Sequence, residues 1–253
     1  MSSKYEQLND KEWLLQKYVV EHRSALEIAK LIGAKNSNSV RQFLAKFAIK
    51  IRDQVEAQVS ERDFEIDNDV LVGSLLGDAG LMTSNKNNRN TAPYFYKKNK
   101  YYDHVAYVAK SFYGTDFEFH IKNDGGYHKF STAACLDFIP LYNKWYPNGK
   151  KIIPQDIEVT PMILHHWFLD DGSAYIRKRV SRQVIIILSS QCFVQKDQEM
   201  ICSKMNDRFG LNFGLEKINN GTGYRIKLPQ SKTDQFYQII GRPFIDSLSY
   251  KWK

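Results

Sequence analysis

The chain has 253 residues, a net charge of +8, and 43% hydrophobic and 13% aromatic residues. That is enough apolar material for a sizeable core and excludes an intrinsically disordered chain. No apolar run exceeds five residues, "VIIIL" at 184–188 among them, which excludes a helical membrane span.

The opening "MSSKYEQLND" has neither an apolar core nor an Arg-rich amphipathic pattern, so no targeting peptide is expected. Cys135, Cys192 and Cys202 fit no metal-ligand spacing and read as free, buried thiols in a reducing compartment. The expected location is therefore the cytoplasm or an organelle, not the exterior. Charge is unevenly spread. Residues 1–52 carry ten basic against five acidic residues, 53–69 one against seven, and 70–253 twenty-five against sixteen. Two basic blocks joined by an acidic segment imply two modules that each meet a polyanion. The expected organisation is an N-terminal domain (1–52), an acidic linker (53–68) and a large domain (69–253, with halves 69–150 and 151–253).

In chain order, residues 10–50 predict three short helices. "DKEWLLQKYVVEH" places Leu14, Leu15, Tyr18 and Val19 on one stripe. "SALE" (24–27) is a capping box opening "ALEIAKLI", and Gly33 provides the chain reversal. "SNSVRQFLAKF" (37–47) buries Val40, Phe43, Leu44 and Phe47 and leaves Arg41, Gln42 and Lys46 outward. This arrangement resembles a helix-turn-helix. On that reading Asn36, Ser37, Asn38, Arg41 and Gln42 reach base edges, and Lys35 and Lys46 reach phosphates.

From residue 69 one pattern occurs twice. An apolar helix ends at "LLGDAG" (75–80), followed by strands near 80–84 and 92–98 and the amphipathic helix "KYYDHVAYVAKSFYG". A hairpin joins "DFEFHI" to "YHKFST" through Asn-Asp-Gly-Gly, and "CLDFIPLYNKWY" closes the half with a helix that Pro140 bends. The second half repeats the order with "ILHHWFLDDG", "SAYIRKR", "QVIIILSSQ", "QKDQEMICSKMNDRFG", a hairpin through "NNGTG", and "KTDQFYQII". The expected fold is α+β: a pseudo-twofold tandem αββαββα repeat with a saddle of antiparallel strands, plus a small all-α N-terminal domain.

Asp78 and Asp171 hold the same place in each repeat. Helix C-termini carry partial negative charge, so an apolar helix ending on a carboxylate needs compensation. Pseudo-twofold packing brings both ends together, and a divalent cation with substrate phosphate oxygens would neutralise them. Such a site suits in-line phosphodiester hydrolysis.

"LVGSLLGDA" (71–79) and "LHHWFLDDG" (164–172) resemble the nine-residue motif of the LAGLIDADG homing endonucleases, with Asp78 and Asp171 on its catalytic eighth position. The likeness extends through "KNKYYDHV", "KKIIP", "TPM" and the C-terminal "YK", over residues 69–253. It implies a monomeric site-specific double-strand DNA endonuclease, expected to be intron-encoded, with a long asymmetric target. It implies two or more Mg²⁺ ions, replaceable by Mn²⁺, at Asp78, Asp171, Ala79 and Asp170. By the same likeness Lys151 and Lys251 assist catalysis, and Gln191 lines the site. The first motif departs from the pattern in ending on Ala79. Its Gly73 and Gly77 face a second motif with His166 and Asp170 in those places, which predicts a less symmetric interface. A non-cleaving nucleic-acid binder, either an intron RNA maturase or a DNA-binding regulator, is the alternative.

Adjacent helical positions point about 100° apart, so His165 and His166 cannot chelate one ion and are expected to pack. The stretch 85–100 holds five basic residues and no acids, marking Lys86, Arg89, Lys97 and Lys98 as DNA contacts. Strand alternation puts Tyr175, Arg177 and Arg179 on one face with Ile176 opposite in the core, and Arg182 beyond them. Arg225 and Lys227 alternate likewise.

The N-terminal reading has a direct check. Arg41→Ala with Gln42→Ala should shorten the DNA footprint on one flank only. An unchanged footprint would make residues 1–52 a packing or partner-binding domain.

Overall fold

A computed structural model describes residues 6–21, 23–52, 67–83, 92–113, 121–176, 184–218 and 223–253. Most of the acidic linker, Lys86, Arg89, Arg177, Arg179, Arg182, and all of "DFEFHI" but its last residue lie outside them. The chain divides into two units, one centred on residues 6–52 and a larger one holding both motifs.

In the first unit, Asp10 accepts from the Trp13 N–H and opens α1 (Lys11–Leu15), which runs on to Val20 as a π-turn. The expected capping box is present: Ser24 Oγ accepts from the Glu27 N–H, and the Glu27 carboxylate accepts from the Ser24 N–H, starting α2 (Ala25–Leu31). Gly33 turns the chain at φ +70°, which suits a residue without a Cβ. Then α3 (Asn38–Lys46) follows. Leu8, Leu14, Tyr18, Ile28, Ala29, Val40, Leu44 and Ile49 form a core of their own. Val19 is a correction: it is 46% exposed, because the π-turn rotates it off the stripe that Leu14 and Tyr18 bury.

The larger unit runs α4 (Asn68–Leu76), β1 (Gly80–Met82), β2 (Tyr94–Asn99), α5 (Tyr102–Tyr113), β3 (Lys122–Asp124), β4 (Tyr127–Ser131) and α6 (Phe138–Trp145). It repeats as α7 (Pro161–Asp171), β5 (Gly172–Ile176), β6 (Val184–Leu188), α8 (Gln195–Phe209), β7 (Gly214–Lys217), β8 (Tyr224–Lys227) and α9 (Thr233–Ile240). The tandem αββαββα order is as expected. Each half forms one antiparallel sheet, ordered β1-β2-β4-β3 and β5-β6-β8-β7. Counting two residues on from each motif aspartate makes Gly80 equivalent to Ser173. Gly80 pairs with Tyr96 and Ser173 with Ile187, so the registers also correspond.

Several details differ from expectation. The hairpin strand before the Gly-Gly turn is Lys122–Asp124, with Gly125 and Gly126 both at positive φ as a two-residue reversal demands. Pro140 lies in the first turn of α6, where its missing N–H breaks no helical bond, so it need not bend the helix. Ile176 is 44% exposed, not in the core: it pairs with Val184 at the outer end of the β5–β6 ladder, where Val184 too is only partly buried. Cys192 is exposed, whereas Cys135 and Cys202 are buried and all three are free.

The motif helices are the centre of the unit. Val70–Leu76 of α4 and Ile163–Leu169 of α7 are buried all round, as interior helices are. They run parallel. At their N-terminal ends the Thr160 hydroxyl, itself the cap of α7, donates to Asp69 Oδ2 at 2.9 Å. At the other ends Asp170 Oδ2 accepts from the Asp78 N–H at 3.3 Å. Between these ties Gly73 and Gly77 let the backbones close. A Cβ on Gly73 would lie 2.5 Å from His166 Cβ, and one on Gly77 would lie 2.3 Å from Asp170 Cβ. The large residues of the second motif fill the space left by the first motif's glycines, which is the expected asymmetry. His166 is fully buried against Tyr107 and Phe244, and His165 stacks on Phe244 with Nδ1 2.6 Å from the Ile240 carbonyl, so both pack.

Gly73→Ala and Gly77→Ala should each destabilise the protein by about 1–3 kcal/mol or prevent folding, because backbone and Cβ atoms must separate. Gly214→Ala, with nothing within 4 Å of the added Cβ, is the control and should be near neutral in denaturant unfolding.

Candidate active site at the junction of the motif helices

Both motif aspartates stand at the helix ends brought together by this packing. Asp171 is the last residue of α7, and its carbonyl accepts from the Ser189 N–H at 2.9 Å. Asp78 lies two residues beyond the end of α4, exposed at its tip, with Asn99 Nδ2 3.4 Å from Oδ2. Loss of water and repulsion from Asp78 and Asp170 push the Asp171 carboxyl up to about 7. Asp78 is also raised, first by desolvation and then by Asp170, against the pull of Lys97, Lys251 and Lys151. Burial first, and the neighbouring carboxylates second, disfavour ionisation of both aspartates.

Two lysines answer the helix ends. Lys151 Nζ donates to the carbonyls of Gly77 (3.2 Å) and Ala79 (2.8 Å) just beyond α4. Lys251 Nζ donates to those of Phe168 (3.1 Å), Leu169 (2.6 Å) and Asp170 (3.2 Å) at the end of α7. Each ammonium meets the partial negative charge of one helix terminus. Burial pushes both lysines down, Lys251 to about 8, although the nearby aspartates pull it back up. Lys151 is delivered by a loop in which Ile152 N–H bonds the Trp145 carbonyl and Ile153 N–H the Asp197 carboxylate. Lys251 comes from a 3₁₀ turn (Asp246–Lys251) whose Ser247 bonds Asp103 of α5 through both N–H and hydroxyl.

The remaining expected positions divide. Ala79 and Asp170 offer backbone carbonyls at the junction. Gln191 is exposed in the turn after β6. Lys98 is partly exposed, 3.5 Å from Asp124 and over the Tyr127 ring. Together with Asn99, Tyr250 and Lys251 it lines a cavity of 490 Å³ beside Asp78. Tyr175 is exposed, and Asn38, Arg41 and Gln42 are exposed in the N-terminal unit. Arg225 and Lys227 lie on one face of β8 around buried Ile226, but both are bound to Glu216, at 2.6 and 2.5 Å, an acid that strand alternation alone did not bring to notice.

Lys97 is a correction. It is 0% exposed and paired with the equally buried Asp170, so it cannot line a groove for DNA. Alternation along β2 carries the signal: Lys97 shares a face with buried Phe95, whereas Tyr96 and Lys98 face outward. Beside this pair His104 is buried with Nε2 3.5 Å from Asp170 Oδ1, and desolvation with Lys97 and Lys251 nearby keeps its imidazole neutral.

Among the described residues no three His, Cys, Asp or Glu converge on one point. Two carboxylates with backbone carbonyls are a donor set for a hard cation that takes its remaining ligands from water and phosphate.

The sequence profile of the LAGLIDADG DNA endonuclease family matches residues 68–236. An uncharacterized protein of Methanocaldococcus jannaschii is 29% identical over 92% of this chain and 91% of its own, a likeness that extends into the N-terminal helices. A probable intron-encoded endonuclease of Wickerhamomyces canadensis is 24% identical over 74% of this chain and 84% of its own. A cytochrome b mRNA maturase of Debaryomyces hansenii is 29% identical, with 72% of each chain covered. The solved homing endonuclease I-WcaI, bound to its DNA recognition sequence, superposes with a TM-score of 0.61 at 21% identity, covering 73% of this chain and 84% of that one. The two motifs, their paired helices and the matching halves place this chain in the LAGLIDADG homing endonuclease family.

Proposed function

We propose that the chain is a monomeric, site-specific double-strand DNA endonuclease that hydrolyses phosphodiesters with Mg²⁺ or Mn²⁺ held at Asp78 and Asp171. One observation carries this reading: two parallel helices deliver both carboxylates to a single junction, where loss of water, and then repulsion from neighbouring carboxylates, raises both their pKa values. The donor set fits a divalent cation, with the Ala79 and Asp170 carbonyls, each also the acceptor of a lysine, completing the protein's share. Two or more such ions, when bound, would activate water and stabilise the leaving oxygen.

The chain's own groups do the rest. Lys151 and Lys251 fix the backbone at the ends of the motif helices beside the aspartates and place positive charge where the pentacoordinate phosphorus centre develops negative charge. Gln191 and Asn99 are set at the rim to orient water or phosphate. Lys98, Tyr175, Arg225 and Lys227 are assigned to the duplex flanking the cut, with Glu216 orienting the last two. The N-terminal helices, on this reading, hold an adjacent stretch of the same duplex. Intron RNA is a second partner suggested by the maturase relative. Retention of two carboxylates and two helix-end lysines favours the enzyme, because a simple binder gains nothing from carboxylates near phosphate.

Asp78→Asn and Asp171→Asn should each abolish double-strand cleavage of a selected target while leaving affinity within a few-fold, read by gel shift beside plasmid linearisation. Full cleavage by either variant would overturn the proposal. Lys151→Ala and Lys251→Ala should lower the cleavage rate more than the affinity, and equal losses would make them plain phosphate contacts.

Asp171 also yields a pH prediction. With its folded pKa near 7, the folded chain keeps a proton that the unfolded chain has already lost. Stability from this group therefore falls as pH rises from about 4 to about 7, and the penalty is complete above that. Asp171→Asn should raise the melting temperature at pH 8 and leave it unchanged near pH 4. Mg²⁺ at pH 8 should raise that of the parent more than that of the variant.

A further inference from the structure

The carboxylate of Asp170 has no part in the chemistry above, yet it is fully buried at the junction. Among the described residues its hydrogen-bond and ion-pair partners lie in the other half of the repeat, His104 Nε2 at 3.5 Å among them. Oδ1 pairs with Lys97 of β2, Oδ2 accepts from the Asp78 N–H at 3.3 Å, and its Cβ occupies the space above Gly77. The symmetric places are empty of charge. Asp170 is equivalent to Gly77, and the strand register makes Lys97 equivalent to Leu188, which is fully buried. A buried ion pair usually stabilises a fold no better than apolar residues of the same size, and often less. The symmetric position manages with Gly77 and Leu188, so the charged pair calls for a different explanation.

The helix ends provide it. Asp171 is still helical and is held by α7 itself. Asp78 lies past the end of α4; its neighbours are tied, Ala79 N–H to the Ser74 carbonyl and the Gly77 and Ala79 carbonyls to Lys151, but its own N–H has no helical acceptor and donates to Asp170 instead. We propose that Asp170, oriented by Lys97, is a positioning residue for Asp78: the second motif holds the first motif's carboxylate in place across the pseudo-twofold axis. The two carboxylates are thus held by different means: Asp171 by its own helix, and Asp78 by the bonds of its neighbours to Ser74 and Lys151 together with the cross-half pair. The consequence for cleavage rests on the endonuclease reading; the positioning itself does not.

The test uses the full chain and two double variants that leave no buried charge unpaired. Lys97→Met with Asp170→Ala removes the pair and the acceptor. Lys97→Met with Asp170→Asn removes the charge but keeps an acceptor of the same shape. Hydrogen exchange of the free proteins reads the backbone directly. The Ala variant should exchange about tenfold faster in the peptide around Asp78, with no change around Asp171, and the Asn variant should recover most of the protection. Equal exchange in parent, Ala and Asn variants, or equal loosening around both aspartates, would overturn the proposal. In a second arm, a plasmid carrying the selected target should accumulate nicked circles with the Ala variant, because one of two carboxylates is displaced. Unchanged linearisation by a variant whose Asp78 peptide has loosened would show that the pair does not govern catalysis. If the parent cuts no plasmid at all, the endonuclease reading fails, and the exchange arm still decides whether Asp170 positions Asp78.

Discussion

Two helix C-termini meet at the middle of the larger unit, each bearing a carboxylate, and like charges in that position repel. The protein resolves this with lysines. Lys151 and Lys251 come from segments 100 positions apart in the chain, and each bonds carbonyls at or just beyond the end of one motif helix. Those segments are in turn anchored across the unit, through Asp197 for one and through Asp103 and Ser247 for the other. The sheets, the amphipathic helices and the C-terminal turn all contribute to holding this one electrostatically crowded point.

The frame is symmetric and the centre is not. Strand order and register repeat, and so do the lysines. At the helix contact, however, glycines of the first motif receive His166 and Asp170 of the second, so closeness comes from a small-to-large fit. A single chain can afford this difference, because its two halves evolve separately. The asymmetry reaches the chemistry through Asp170, whose ion pair with Lys97 lies directly against the Asp78 peptide.

Much of this was legible in the sequence. The repeat, the motif aspartates, the capping box at Ser24 and the packing role of His165 and His166 follow from spacing and from the directions side chains take on a helix. Lys97 was misread because charge was counted over a segment, whereas burial is decided residue by residue on a pleated strand. Phe95, two places earlier, carried the correction. Ile176 differs for the opposite reason: alternation gives a face but not the point along a strand at which burial ends, here the pair with partly buried Val184. Glu216, Asn99 and the partners of Lys151 and Lys251 were not legible, since each depends on contacts between segments far apart in the chain.

The central claim is that one junction, formed by both motifs, cuts both strands of a duplex. Incubating the full chain with a plasmid library and Mg²⁺, then sequencing all new ends, tests it most directly. The account predicts breaks at one recurrent sequence, with the two strands cut at a fixed offset and no such ends from Asp78→Asn or Asp171→Asn protein. Ends scattered without a common sequence, or the same ends produced by either variant, would contradict it.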